Sequence, residues 1–136
     1  THALSKGLLF LCAGSLIHHT HTRDISKLAG VFKSLRITGI GFAVGALSLS
    51  GFPPLIGFKS DYLIFSELPL PMFVLSLLIT LLTPVYLFWV TKTVWVGKKQ
   101  KPIKESPYFV FPILLLSLLI VVLGVYPGLA EVLIND

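Results

Sequence analysis

The chain has 136 residues, 54% of them hydrophobic and 12% charged, with a mean hydropathy of +0.89 and a formal net charge of +5. Soluble domains carry roughly 25% charged residues, and a core of this size cannot bury so much apolar side chain, so lipid must take up the excess. This excludes an ordinary soluble enzyme, a disordered tail and a disulfide-stapled secreted domain. The single cysteine, Cys12, lies in an apolar run and reads as a small hydrophobe rather than half of a bridge or cage.

Four apolar segments follow one another, at 3–18, 37–67, 72–95 and 108–126. The first spans roughly 24 Å as a helix, short of the roughly 30 Å of bilayer hydrocarbon. The expectation is that its beginning belongs to a longer parent chain. At its end His18, His19 and His21 form a cluster. No acid or cysteine stands beside it to complete a metal set, so interfacial histidines are expected and no metal.

The second segment is too long, roughly 46 Å if straight. Its middle reads Ser50-Gly51-Phe52-Pro53-Pro54-Leu55-Ile56-Gly57. Adjacent prolines remove two donors and drive the preceding residue out of the helical region. Two half-helices, 38–50 and 57–67, are therefore expected, joined by irregular backbone at membrane depth. Such a break either lines an ion or substrate site or is a structural kink. Upstream of it, Gly41 and Gly45 form a Gly-x-x-x-Gly face suited to close helix packing.

The third and fourth segments meet the spanning length, and Pro84 and Pro112 predict kinks in them. Lys92, between Trp89 and Trp95, reads as an interfacial anchor. Basic residues gather in two loops: Arg23, Lys27, Lys33 and Arg36 after the first segment, and Lys98, Lys99, Lys101 and Lys104 after the third. Each loop holds one acid, Asp24 or Glu105, whereas Glu67, Glu131 and Asp136 fall opposite. If the broken segment crosses once, both basic loops share a side, as the positive-inside rule requires. The positive charge thus reports orientation, and nucleic acid is not expected as a partner. The fold class is an all-α, multi-pass transmembrane bundle with one broken helix, a single membrane domain over 1–136 with three crossings plus the short first helix.

The ionisable groups inside apolar spans are the informative ones, because each costs roughly 2.5–3.5 kcal/mol at mid-bilayer on insertion scales. His2 and Lys6 are one helical turn apart and share a face. Set near the membrane middle, they could pass protons between water chains; at a true terminus, they would snorkel to the interface. Lys59 and Asp61 follow the break and diverge by about 200° around a helix, so at most one points along a given polar track. An ion pair with another helix is the structural alternative for them. No nucleophile elbow, zinc motif, nucleotide loop or cluster ligand set is present, so no catalytic residue, redox centre or cofactor is expected on this chain.

The run His2-Ala3-x-x-Lys6-x-Leu8-Leu9-Phe10-x-x-Ala13-Gly14-Ser15, followed by His18, and the run Leu49–Phe58 around the double proline resemble, in this order and spacing, the antiporter-like subunits of respiratory complex I. Related proteins occur in multisubunit sodium/proton antiporters and in energy-converting membrane-bound hydrogenases. Asp24-Ile25-x-Lys27-x-x-Gly30 and the exit Gly124-Val125-Tyr126-Pro127 are similar to the family as well. The resemblance implies that the chain is the C-terminal three to four helices of a longer fold of about fourteen. It implies that His2 and Lys6 belong to a polar axis and that the position three after Phe58 titrates. That position, most often Lys in the family, holds Asp61 here, with Lys59 two residues before it. Proton translocation by His2, Lys6 and Asp61 or Lys59 is the implied function, sodium being the other ion. A non-conducting segment that completes a membrane arm is the alternative. The implied partners are the remaining antiporter-like helices, on the same or a neighbouring polypeptide, other membrane-arm subunits, and the bilayer. The implied location is a prokaryotic cell membrane ahead of the mitochondrial inner membrane, and the acid at position 61 leans towards hydrogenase-type relatives.

Overall fold

A computed structural model describes residues 2–98, 101–126 and 128, and of Lys59 the backbone alone. Lys99, Glu131 and Asp136, used above for orientation, lie outside the described residues. Five α-helices occur among the described residues: α1 (His2–Thr20), α2 (Arg36–Leu49), α3 (Ile56–Ser66), α4 (Leu70–Trp95) and α5 (Pro107–Val125). No strand occurs among the described residues. By length and composition α4 and α5 can each cross a membrane alone, with mean hydropathies of 2.2 and 2.8. Both run through their internal prolines, Pro84 and Pro112, without interruption.

The break in the second segment falls where the prolines require it. Helix α2 stops at Leu49 and α3 starts at Ile56, within two residues of the expected half-helices. The intervening peptide Pro53–Pro54 is cis, and Gly51 has φ +67°.

Helices α1 and α2 form the tightest pair, antiparallel and in one register. Ser5 Oγ lies 2.8 Å from Ser48 Oγ, and Ser15 Oγ 3.0 Å from Thr38 Oγ1. Between these hydroxyl pairs, Leu8 and Leu9 pack on Gly45 and Cys12 packs on Gly41. The buried α1 residues Ser5, Leu8, Cys12, Ser15 and Leu16 follow steps of three and four, the spacing that keeps one stripe facing a neighbour. Small residues on α2 let the backbones approach. In lipid, where apolar burial drives little association, such packing and interhelical hydrogen bonds supply the adhesion, about 0.6 kcal/mol per bond on average. Ile113 of α5 also closes on Gly41, so α5 seats against both helices. Leu8, Cys12, Leu55, Ile113 and Ile120 form the resulting core.

The segment after α1 differs from the plain basic loop read from the sequence. Two short 3-10 turns, Ile25–Leu28 and Val31–Lys33, tuck apolar side chains beneath it. Leu28, Val31, Phe32 and Leu35 pack there with Leu16 and Val94, and the turns meet α2 at 108°. Charged residues on the surface of this segment mask its apolar ones in the sequence. The two basic loops lie together at one end of the bundle: Lys33 Nζ donates to the Gly97 carbonyl at 2.7 Å, and Gly30 abuts the backbone of Lys98. Trp95 is half-buried, edge-on to Phe32 at 6.0 Å, whereas Trp89 and Lys92 are exposed.

Candidate functional site

Of the residues singled out in the sequence, Asp61 lies at the break between α2 and α3. Helix α3 begins against the last turn of α2 so closely that a Cβ on Gly57 would overlap the Ser48 carbonyl. That approach turns Asp61, one turn further on, back over the irregular stretch. A Cβ built on Gly51 would stand 2.6 Å from Asp61 Oδ2. Gly51 therefore answers two demands, a left-handed backbone and room for a carboxylate.

Asp61 is half-buried and accepts no hydrogen bond from the described residues. The charge of His2, at the start of α1, acts on its carboxylate. Ser5 sets this relation, because its bond to Ser48 fixes the rotation of α1. With Ser5 facing α2, His2 and Lys6 project roughly 60–100° to the side. The structure thus leaves His2 within electrostatic reach of Asp61. It leaves Lys6 exposed on an open flank of α1, where nothing stands within 4 Å of a Cβ on the adjacent Gly7. The side chain of Lys59 lies outside the described residues; its backbone belongs to α3.

A second polar cluster, not anticipated from the sequence, sits at the other end of α2. Glu105 Oε1 accepts from the Ile37 N–H at 2.8 Å, and Oε2 accepts from the Thr38 N–H at 3.0 Å and from Thr38 Oγ1 at 2.9 Å. The carboxylate caps α2 from the segment leading into α5, meeting donors left without intrahelical partners and the positive end of the helix dipole. The next residue, Ser106, donates its N–H to His19 Nε2 at 3.1 Å, and His19 Nδ1 lies 2.7 Å from the Ser15 carbonyl. His19 therefore holds a proton on Nδ1 and accepts on Nε2. Of the histidines, His18 is exposed and stacks on His19, which is half-buried and bonded through both nitrogens. No group of three metal-ligating side chains occurs among the described residues. The one sequence signal for this cluster was an isolated acid in an otherwise basic loop.

Comparison with known proteins places these features in a family. Residues 1–87 match the model of the NADH:quinone oxidoreductase/Mrp antiporter transmembrane family. The chain is 46% identical, over 65 residues and 47% of its length, to NADH-ubiquinone oxidoreductase chain 5 of Hylobates lar, of which it covers 11%. It is 35% identical, over 94% of its length, to the putative antiporter subunit mnhA2 of Staphylococcus saprophyticus, of which it covers 18%. It is 48% identical over 61 residues to chain 5 of Balaenoptera physalus, 44% of this chain and 10% of that one. The chain thus spans a fifth or less of the length of these curated relatives.

Proposed function

The chain belongs to the NADH:quinone oxidoreductase/Mrp antiporter membrane family, and from that premise we propose that it contributes a proton-handling carboxylate, Asp61, to an antiporter-like subunit of an ion-translocating complex. One observation carries the reading: a half-buried carboxylate at the break of a discontinuous helix, with no hydrogen-bond donor among the described residues and a histidine within electrostatic reach. A carboxylate without fixed donors is free to gain and lose a proton. A nearby imidazole can deliver or receive one. Irregular backbone at membrane depth needs buried protein or water around it, and water there would complete the path.

In this reading His2 exchanges protons with Asp61. Lys6, one turn along α1, repels a second positive charge and so biases the direction of transfer. Lys59 serves as partner or substitute for the carboxylate. Proton is favoured over sodium because an imidazole beside one carboxylate suits proton exchange, whereas a bound sodium ion would want several oxygens. The redox reaction belongs to other subunits, and this chain supplies closing helices to a longer antiporter-like fold. The acid at position 61 is the feature that leans towards hydrogenase-type complexes, and a prokaryotic cell membrane is the location favoured.

The test is proton pumping by the intact complex in vesicles, with Asp61→Asn and Lys6→Ala compared with the unaltered protein. Asp61→Asn is expected to lower pumping by about tenfold or more, the size expected for a positioned proton-transfer group, with assembly unchanged. Unchanged pumping in a fully assembled Asp61→Asn complex would sink the reading and leave the chain a non-conducting structural segment.

A further inference from the structure

Where α1, α2 and the lead-in to α5 meet, four side chains and one backbone amide close a hydrogen-bonded ring. Glu105 Oε2 accepts from Thr38 Oγ1 at 2.9 Å, and Thr38 Oγ1 lies 3.0 Å from Ser15 Oγ. One turn along α1, His19 Nδ1 lies 2.7 Å from the Ser15 carbonyl and 3.4 Å from Ser15 Oγ. His19 Nε2 accepts from the Ser106 N–H at 3.1 Å, and Ser106 follows Glu105 in the chain. The two fixed ends agree on every proton in this ring. Glu105 already takes backbone donors on both oxygens, so Thr38 donates to it and Ser15 donates to Thr38. A backbone N–H can only donate, so Nε2 of His19 is bare and the imidazole proton sits on Nδ1.

We propose that His19 is a proton-sensitive latch: a second proton, taken up at Nε2, expels the Ser106 N–H and frees the start of α5 from α1. With Nε2 protonated, two donors would face each other across the present bond, which cannot then persist. What the bond holds is the N-cap residue of α5. The Ser106 carbonyl accepts from the Phe109 and Val110 N–H groups, and Pro107 follows as the first helical residue. Residues 101–105 before it form neither helix nor strand, so the latch sets where an irregular segment enters the helix. The release is selective. Glu105 bonds to α2 and not to α1, so α5 would part from α1 while its lead-in stays on α2.

The titratable and charged groups on the segments that meet here are His18 in α1, His21 just beyond it, Arg36 at the start of α2, and Lys104, Glu105 and Tyr108 around the start of α5. His18 stacks on His19 at 5.2 Å, and Phe109 stands edge-on to both rings, at 5.3 and 6.1 Å. Glu105 attracts an imidazolium at position 19, whereas Arg36, Lys104 and a charged His18 oppose it. Besides Nε2, the remaining basic atoms of the ring are the Glu105 oxygens, and a carboxylate ordinarily needs stronger acid than an imidazole. His19 is half-buried, with His18, Lys104 and Tyr108 exposed around it, so a proton reaches it from the face that carries the basic loops.

The test is hydrogen exchange at the Ser106 amide of the intact complex in lipid nanodiscs, between about pH 8 and about pH 5, across which an ordinary imidazole gains its proton. Each rate is divided by that of the same amide in His19→Gln, whose side-chain oxygen can accept from Ser106 but does not titrate. The division cancels the intrinsic slowing of exchange by acid. The ratio is expected to rise about five- to tenfold as the pH falls, the size of one hydrogen bond lost. His19→Ala, which offers no acceptor, should exchange faster than His19→Gln by a similar factor at every pH. The Ile37 and Thr38 amides, held by Glu105, should stay protected throughout. A ratio that does not change with pH would overturn the proposal. So would Ile37 and Thr38 opening together with Ser106, which would make Glu105 the sensor. Should His19→Gln fail to assemble, the rate in the unaltered complex divided by that in an unstructured peptide of residues 101–110 gives the same expected rise and the same refutation. These readouts measure local opening and not pumping, so they stand or fall apart from the role of Asp61.

Discussion

The two ends of helix α2 each meet a carboxylate, and the two carboxylates are held in opposite ways. Glu105 at the N-terminal end accepts three hydrogen bonds, two of them from backbone donors of the first turn. Asp61 at the C-terminal end accepts none from the described residues and lies over a left-handed glycine. A carboxylate saturated with donors is fixed in place and serves the fold. One left without donors keeps the capacity to exchange a proton. A single helix thus meets an anchored carboxylate at one end and an unanchored one at the other, and the difference lies in where the donors are.

The anchor is the place to break this contrast most severely. Glu105→Ala leaves the Ile37 and Thr38 amides without their acceptor, and charge-assisted bonds contribute about 1.5–3 kcal/mol each to the structures that make them. A loss of about 3 kcal/mol is expected, read as a lower unfolding temperature of the purified complex. Pumping per assembled complex should be retained. Asp61→Asn is the mirror case, with pumping down about tenfold or more and the unfolding temperature unmoved. If both variants acted on the same readout, the division of labour would be wrong.

Gly51→Ala sharpens the comparison with a smaller effect. A side chain in the left-handed region costs roughly 1–2 kcal/mol, and the new methyl would displace the Asp61 carboxylate. Both stability and pumping should fall, pumping by a few fold. Smallest is the acid response of the first basic loop. Donation from Ser26 Oγ, and then from the Ser26 N–H, holds the exposed Asp24 carboxyl below the ordinary carboxylate range. The stabilisation is therefore present above the ordinary carboxylate pKa, near 4, and is lost as pH falls through the lowered value. Hydrogen exchange at Ser26 should quicken over that acid range, and Asp24→Asn should blunt the change.

Much of the architecture was legible from local chemistry. The double proline at 53 and 54 forbids a continuous helix whatever surrounds it, and the observed break lies within two residues of the expected one. Gly41 and Gly45 announced a close contact, and the structure supplies Cys12, Leu8, Leu9 and Ile113 as its partners. Less legible was the segment from 21 to 35. Its lysines and arginines suggested solvent, while Leu28, Val31, Phe32 and Leu35 pack inward across short turns whose periodicity is too brief to detect. Glu105 was counted as an offset charge because nothing local distinguishes a capping acid from a solvated one; its donors lie about 67 residues away in the chain.

By itself the sequence determined that this chain resides in lipid, that its second span is broken, and which few ionisable groups lie within apolar runs. Composition, proline and the transfer cost of charge are properties of residues and short runs, so they need no partner to be read. Only the tertiary structure decided that Asp61 meets Gly51 and the field of His2 while Glu105 is locked into the start of α2. Those outcomes depend on which donors from distant helices arrive at each carboxylate, and that follows from the single packing register of α1 on α2.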